Sequence, residues 1–418
     1  MLNSNREKSR RRFLGALGAS AAWSGLPAGS AAQSRSPEPL PSDDRKLKIT
    51  SVKAYPVAIG GSFRGATAKF SSDFDPARWR YRGPFAQLVG AIIVEIGTDQ
   101  GIIGYGMGGG GGAAVAVVER YLSHLLVGAN PLNVELLWDQ MYSSSSYCGR
   151  RGIVVMALSG VDLALWDIAG KHAGRPVYQL IGGTTKDKVP AYYTGFEVEK
   201  AKAMGFTAFK IPVREGVVEG RDGMKRMAAQ LAEVRKTIGP DAQLLIECGS
   251  LWDVPYTLEM DKRLAELRPE FFEEPLLPDD IEGYETLCRE VRNTRIASGE
   301  HEYTRFGFHE LIRHKAVHVL QPDITWSGGL TELRRIAALA AAHSLPVLLH
   351  RGGSSYGLNL ILATPNCRVA ESFGILENTN EIMTAMMPRF ENGYYYPSQK
   401  PGFGVDLNEA LIRKHLRE

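Results

Sequence analysis

The chain has 418 residues, enough for two to four domains at ~100–200 residues each and for a large core. With 44% hydrophobic and 23% charged residues it is globular rather than disordered, and its 45 glycines follow no Gly-X-Y period, which excludes collagen. The net charge of +3 is local to one end: residues 1–32 carry Arg6, Lys8, Arg10, Arg11 and Arg12 against Glu7, and the rest balances 44 basic with 45 acidic residues, so charge offers no case for nucleic-acid or membrane-surface binding.

Residues 1–32 have the architecture of an export signal. The cluster Ser9-Arg10-Arg11-Arg12-Phe13-Leu14 leads into an apolar run up to Leu26 and then into small residues, and its S-R-R-x-F-L core is that of a twin-arginine signal. An apolar run of ~14 residues cannot span a bilayer, which needs ~20. No later segment is read as a span, so the mature form is expected off the membrane, in the periplasm. Four cysteines (Cys148, Cys248, Cys288, Cys367) without C-x-x-C spacing indicate neither a disulfide framework nor a zinc site.

Residues 33–46, rich in Pro, Ser and charge, read as a linker. Alternation predicts a strand over 49–57, and the apolar runs 87–96 and 101–105 around Gly97-Thr98-Asp99-Gln100 predict a hairpin. Helical periodicity follows over 113–126, 134–142 and 153–169. Strands followed by a block of helices make this part, 47–186, an α+β domain. From residue 187 to 383 short β-rich runs (189–194, 207–211, 243–248, 271–274, 295–299, 317–321, 346–350 and 368–371) alternate with amphipathic segments such as 224–238, 256–267 and 330–343. Eight strands with intervening helices predict a parallel barrel. The tail from 381 fits neither pattern and is expected to return to the first domain, completing it over 384–418.

Ionisable residues close these runs: Lys210, Glu247, Glu273, Glu300, Asp323, His350 and Glu371. The intervals after Glu247 are 26, 27, 23, 27 and 21 residues, one strand-helix unit each, so a barrel gathers them on the rim where such barrels build active sites. A single acid at a strand end is usually a helix cap or a surface charge; five acids and a histidine in phase are not. Glu247, Glu273 and Glu300 end consecutive strands, and three converging anions need a cation. A hard divalent ion, Mg²⁺ above all, suits three carboxylates. Asp323 beside His350 fixes the imidazole tautomer and makes an acid/base pair. His301, next to Glu300, is a second candidate, while His309, His314 and His343 fall on helices or their edges as solvated or packing residues.

Val161-Asp162-Leu163-Ala164-Leu165-Trp166-Asp167, Phe272-Glu273-Glu274-Pro275, Ser298-Gly299-Glu300-His301, Gln321-Pro322-Asp323-Ile324 with Gly328-Gly329, and Pro401-Gly402-Phe403-Gly404 together resemble the mandelate racemase branch of the enolase superfamily. The resemblance runs from Leu47 to the C-terminus. It implies an α+β capping domain built from both chain ends over a modified (β/α)7β TIM-like barrel, Mg²⁺ on Glu247, Glu273 and Glu300, a His350–Asp323 dyad, and Glu371 as a hydrogen-bonding partner of the substrate carboxylate or enolate.

Within the branch the likeness is strongest to L-rhamnonate dehydratases, through Lys210-Ile211-Pro212, Gly299-Glu300-His301, His350-Arg351-Gly352 and Lys400-Pro401-Gly402-Phe403-Gly404-Val405. Racemases of the family carry Lys-x-Lys on the second strand; Pro212 replaces the second lysine here. Rhamnonate dehydratases carry a histidine in the early capping loop; residues 60–84 have none and offer Arg64, Lys69, Arg78, Arg80 and Arg82 instead.

The expected activity is therefore that of a hydro-lyase on a small-molecule sugar acid. His350 takes the C2 proton of an aldonic-type 2,3-dihydroxy acid, the 3-hydroxyl leaves with help from His350, His301 or Lys210, and a 2-keto-3-deoxy acid forms. Alternatives are a racemase, epimerase or cycloisomerase of the superfamily, or a non-catalytic exported sugar-acid binder. Gly104-Tyr105-Gly106-Met107-Gly108-Gly109 also matches G-x-G-x-x-G, a formal nucleotide-binding reading. Substrate choice is assigned to loops over 58–84, 105–112 and 212–223. Related enzymes form symmetric homo-oligomers, so the same is expected here.

Overall fold

The computed structural model describes residues 47–57, 90–374 and 380–416; the export segment, the linker and the basic loop over 60–84 lie outside the described residues. Strand β1 (Ile49–Val57) pairs antiparallel with β2 (Ala91–Thr98), and β2 with β3 (Ile103–Gly108). The β2–β3 turn closes where Gly101 takes φ +76° and donates its N–H to the Thr98 carbonyl. Residues 105–108, expected in a loop, are strand.

Alternate residues of β2 enter two different cores. Ile92, Val94 and Ile96 pack with the helices that follow, and Ala91 and Ile93 join the core shared with the barrel. The expected helix over 113–126 is α1 (Gly111–Val117) and α2 (Ser123–Leu126) joined by a π-helical turn at Val118–Leu122. After α3 (Val134–Ser145) comes α4 (Ile153–His172), which is apolar almost all round because it is buried almost all round. By length and composition α4 could cross a membrane, which corrects the expectation that no segment beyond the N-terminus could; here 78% of its apolar window is inside the protein.

The glycines of β3 serve this helix. A Cβ on Gly104 or Gly106 would lie 2.2 Å from the Ala164 carbonyl oxygen or 2.0 Å from that of Gly160. Neither glycine has a positive φ. They allow a strand to lie against a helix backbone, and the nucleotide-binding reading of this motif falls away.

Two aspartates of α4 are fully buried and tie it to distant segments. Asp162 accepts hydrogen bonds from Thr331 N (3.0 Å) and Thr331 Oγ1 (2.5 Å) in the helix Gly329–Ala342. Asp167 accepts from Tyr105 N (3.0 Å) on β3 and Phe403 N (2.9 Å) in the C-terminal tail, and pairs with Lys171 at 2.7 Å. That tail then runs through the helix Glu409–Lys414, whose Ile412 is buried in the core, to a β-bridge between Leu416 and Val57.

Strands β4 (Val189–Thr194), β5 (Ala208–Pro212), β6 (Gln243–Glu247), β7 (Pro269–Glu273), β8 (Arg295–Ser298) and β9 (Val319–Leu320) pair in parallel succession, and β10 (Ala370–Ser372) returns to pair parallel with β4. The strand expected over 346–350 is reduced to the bridges Leu320–Val347 and Asp323–His350 on one side and Val347–Cys367 on the other. It opens on Pro346, which has no N–H to give to the ladder. A hairpin of β11 (Phe390–Glu391) and β12 (Tyr394–Tyr395) adds antiparallel to the start of β4.

Tyr192, Ala208, Leu245, Phe271, Ala297, Val319, Leu348 and Val369 fill the barrel interior. Because side chains alternate along a strand, the next inward position lies two residues on. Those positions are Thr194, Lys210, Glu247, Glu273, Gly299, Gln321, His350 and Glu371. The apolar plug is thus overlaid, at the C-terminal ends of the strands, by a polar layer.

Candidate active site

That layer brings together the residues expected to carry chemistry. Glu247 and Glu273 end β6 and β7, and Glu300 lies two residues past β8, beyond Gly299 with φ +129°. One carboxylate oxygen from each of the three lies within 4.8 Å of the others. Burial and mutual repulsion push all three carboxyl groups above the usual range, Glu273 furthest, although Lys210 opposes the shift at Glu247 and Glu273 and His350 and His301 oppose it at Glu300.

Lys210 is the one cation in the floor of this cluster among the described residues. Its Nζ lies 2.5 Å from Glu273, 2.7 Å from Glu371 and 3.6 Å from Glu247. Burial disfavours its charge, but Glu273 and Glu371 hold it well above the usual lysine range. Its ammonium is thus held as a charge among three carboxylates. One ammonium against four carboxylates leaves an excess of negative charge, and an all-oxygen donor set of this kind fits a hard divalent cation.

Glu371 sits at the centre of β10. It accepts from Thr194 Oγ1 (2.6 Å) and Arg351 N (2.8 Å). Burial would raise its pKa, yet Lys210 and His350 draw it down to about 2. It remains an acceptor under all ordinary conditions.

His350 and Asp323 meet across their β-bridge, His350 Nδ1 lying 2.7 Å from Asp323 Oδ2. Asp323 Oδ1 is held in turn by Thr325 N and Thr325 Oγ1, both at 2.6 Å. A carboxylate fixed on Nδ1 places the Nδ1–H there and turns Nε2 toward the cluster, 3.4 Å from Glu300 Oε1. Burial opposes charge on the ring, but Glu300, Asp323 and Glu371 raise its pKa, while His350 draws that of Asp323 down.

His301 forms a second pair, which residue order alone did not indicate. Its Nδ1 lies 2.6 Å from Glu274 Oε2, and its Nε2 lies 4.0 Å from Glu300. Against burial, Glu274 pushes its pKa up to about 10. Glu274 follows an inward residue and by alternation belongs outside the barrel. Its φ of +42° ends the strand and lets the carboxylate return to the rim, where it is buried. The repeated acid in Phe272-Glu273-Glu274-Pro275 was its only sequence signal.

Trp326 completes the wall. Its ring lies 5.3 Å from that of His350 and 5.8 Å from that of His301, and the backbone of Gly109 rests against its indole edge. The site is therefore a patch of clustered carboxylates flanked by two histidines, each with its own carboxylate. It can hold a divalent cation and move a proton at His350 Nε2.

Residues 84–182 match the mandelate racemase/muconate lactonizing enzyme N-terminal domain, and residues 196–411 match the enolase C-terminal domain-like family. A protein of Caldivirga maquilingensis, provisionally described as an L-rhamnonate dehydratase, is 39% identical over 334 residues, 78% of this chain and 83% of its own. The structure of rhamnonate dehydratase from Gibberella zeae complexed with Mg superposes with a TM-score of 0.77 at 34% identity, over 88% of this chain and 96% of that one. A racemase from Streptomyces coelicolor A3(2) with bound magnesium gives 0.74 at 26%, over 88% of this chain and all of its own. One scaffold thus carries both a protein named a dehydratase and one named a racemase, so the activity has to be argued from the site rather than from the fold.

Proposed function

Since the chain belongs to the mandelate racemase/muconate lactonizing enzyme family of the enolase superfamily, we propose that it is a Mg²⁺-dependent sugar-acid dehydratase. The reaction removes the C2 proton of an aldonic-type 2,3-dihydroxy acid, breaks the C3–O bond and releases water. The enol left behind tautomerises to a 2-keto-3-deoxy acid. The observation that carries the reading is the asymmetry of proton-transfer groups: His350 Nε2 faces the cluster from one side, while the second strand offers only the locked ammonium of Lys210 and then Pro212. Inversion at C2 needs a base on each face; elimination needs one base and an acid.

Glu247, Glu273 and Glu300 are the residues that would hold the metal. When bound, the ion supplies the positive charge that makes a carboxylate-stabilised carbanion accessible to a side-chain base. His350 accepts the C2 proton at Nε2, and Asp323 keeps the imidazole in the tautomer able to do so and stabilises the imidazolium that results. The proton for the departing hydroxyl comes back from His350, or from His301 held protonated by Glu274. Glu371, held as a carboxylate with Lys210 beside it, is placed to accept a hydrogen bond from a substrate hydroxyl.

Purified protein supplied with Mg²⁺ and screened on aldonic acids is expected to give 2-keto-3-deoxy product, lost in excess chelator and restored by Mg²⁺. Full turnover in chelator, or epimer without keto product, would refute the reading. The Arg10-Arg11 pair further supports export of the folded chain to the periplasm. Lysine at both positions should retain it in the cytoplasm, as fractionation would show.

A further inference from the structure

Arg351 follows His350 directly with its backbone in the left-handed region, φ +54°. Its own N–H bond to Glu371 and the turn from Ser354 N to the Arg351 carbonyl (3.1 Å) hold it there. Such a conformation costs a non-glycine residue on the order of 1 kcal/mol or more. The side chain rests on Trp326, with the guanidinium carbon 5.2 Å from the ring centre. Trp326 is only 3% exposed and touches both active-site histidines, so it is a fixed platform one ring away from His350 Nε2.

Among the described residues no carboxylate or carbonyl pairs with this guanidinium. Several other barrel arginines are spent, Arg305 on Glu332, Arg335 on Glu332 and Glu135, Arg295 on Glu270, and Arg235 on four backbone carbonyls, whereas Arg214, stacked on Phe196, is open like Arg351 but does not adjoin the dyad. A planar fork of five donors, laid flat beside the dyad and left open, suits paired oxygen acceptors on a ligand.

Resting on the dehydratase reading, we propose that Arg351 is a specificity-determining residue whose guanidinium, stacked on Trp326, donates hydrogen bonds to oxygen atoms at the end of the sugar acid remote from the reacting carboxylate. Adjacent hydroxyls or a second carboxylate both supply such acceptors.

The test compares wild type and Arg351→Met on three acids: L-rhamnonate, galactarate with a carboxylate at each end, and glycerate, which is too short to reach the guanidinium. The expected loss in kcat/KM is roughly 10- to 100-fold on a six-carbon acid, carried mainly by KM, as for a hydrogen bond to a charged group. On glycerate it should be less than about threefold. A larger loss on galactarate supports the proposal with a distal carboxylate as partner; a larger loss on L-rhamnonate supports it with hydroxyls. Equal losses on long and short acids, or a loss confined to kcat, would overturn it, because Arg351 would then act through Trp326 or His350. Arg351→Lys, which keeps the charge without the fork, should fall between and guards against misfolding of the first variant. If the wild type turns over none of the three, none is its substrate, and the dehydratase reading is decided by the wider screen of aldonic acids. Calorimetric Kd values for the same acids then decide the matter, and absence of any length-dependent difference between wild type and variant overturns the proposal.

Discussion

Asp162 and Asp167 on α4 and Glu247, Glu273 and Glu300 at the barrel mouth are all wholly or largely removed from water, but what faces them differs. Each aspartate is met by donors brought from another segment, Thr331 for Asp162 and Tyr105 and Phe403 for Asp167, which Lys171 joins from one turn along α4. At the mouth Glu273 shares Lys210 and Gln321, Glu247 accepts from Gly249 N, and Glu300 accepts no hydrogen bond from another described residue. Burial alone therefore does not mark function. A buried acid supplied with donors holds the fold together, whereas buried acids that face one another are kept at a cost for something that binds between them.

The sharpest break between the two sets is expected in rate. His350→Asn keeps the carboxylates and the fold but removes the proton acceptor, so C2 exchange and dehydration should fall together by ~10²- to 10⁴-fold with little change in Tm. Fast C2 exchange in that variant would reassign the base. Next comes Asp167→Ala, which strands two buried backbone N–H groups and takes the ion-pair partner from Lys171, whose ammonium keeps its bond to the Ile103 carbonyl. Denaturant unfolding should show a loss of about 3 to 5 kcal/mol, with normal activity in whatever remains folded. A loss below about 1 kcal/mol would mean that these donors find other partners.

A pH dependence separates the sets further. Burial pushes the Asp162 carboxyl up to about 7, well above its ordinary 3.8, with Thr331 opposing. The native state then keeps a proton that the unfolded chain releases. This contribution to stability is complete below about pH 4 and is lost as pH rises through about 7, at up to about 1.4 kcal/mol per pH unit. Asp162→Asn should flatten the Tm profile over that window, and an unchanged profile would remove Asp162 as its source. The smallest effect is also the most discriminating. Glu300→Gln should abolish metal binding by titration, yet change the metal-free stability by no more than about 1 kcal/mol, since the burial of this carboxylate is offset only by the two nearby histidines and by no hydrogen bond. A large drop in metal-free stability would place Glu300 with the aspartates.

The mouth carboxylates could be read from the sequence because each strand-helix unit recurs at a near-constant interval, and Asp323 and His350 because they close neighbouring strands. Glu274 and Arg351 could not. Each adjoins an inward-facing residue, so alternation assigns it to the opposite face, and only a left-handed φ brings its side chain back to the rim. The π-helical turn at Val118–Leu122 was hidden for a related reason: its apolar spacing is that of the helix around it. The weakness of the strand at 346–350 was legible in Pro346 alone.

The bridge between Val57 and Leu416, with Phe403 bonded to Asp167, has a consequence for how the molecule is made. β1 and α4 thus meet partners that lie far along the chain from them, at Leu416 and Phe403. At ~5–20 residues per second the stretch from Val57 to Leu416 takes roughly 20 to 70 s to make, and until then β1 and the tail-facing side of α4 lack their partner. The nascent chain thus carries an unfinished capping sheet until the segment from Phe403 to Leu416 has emerged, and deleting that segment would leave the sheet in that condition permanently.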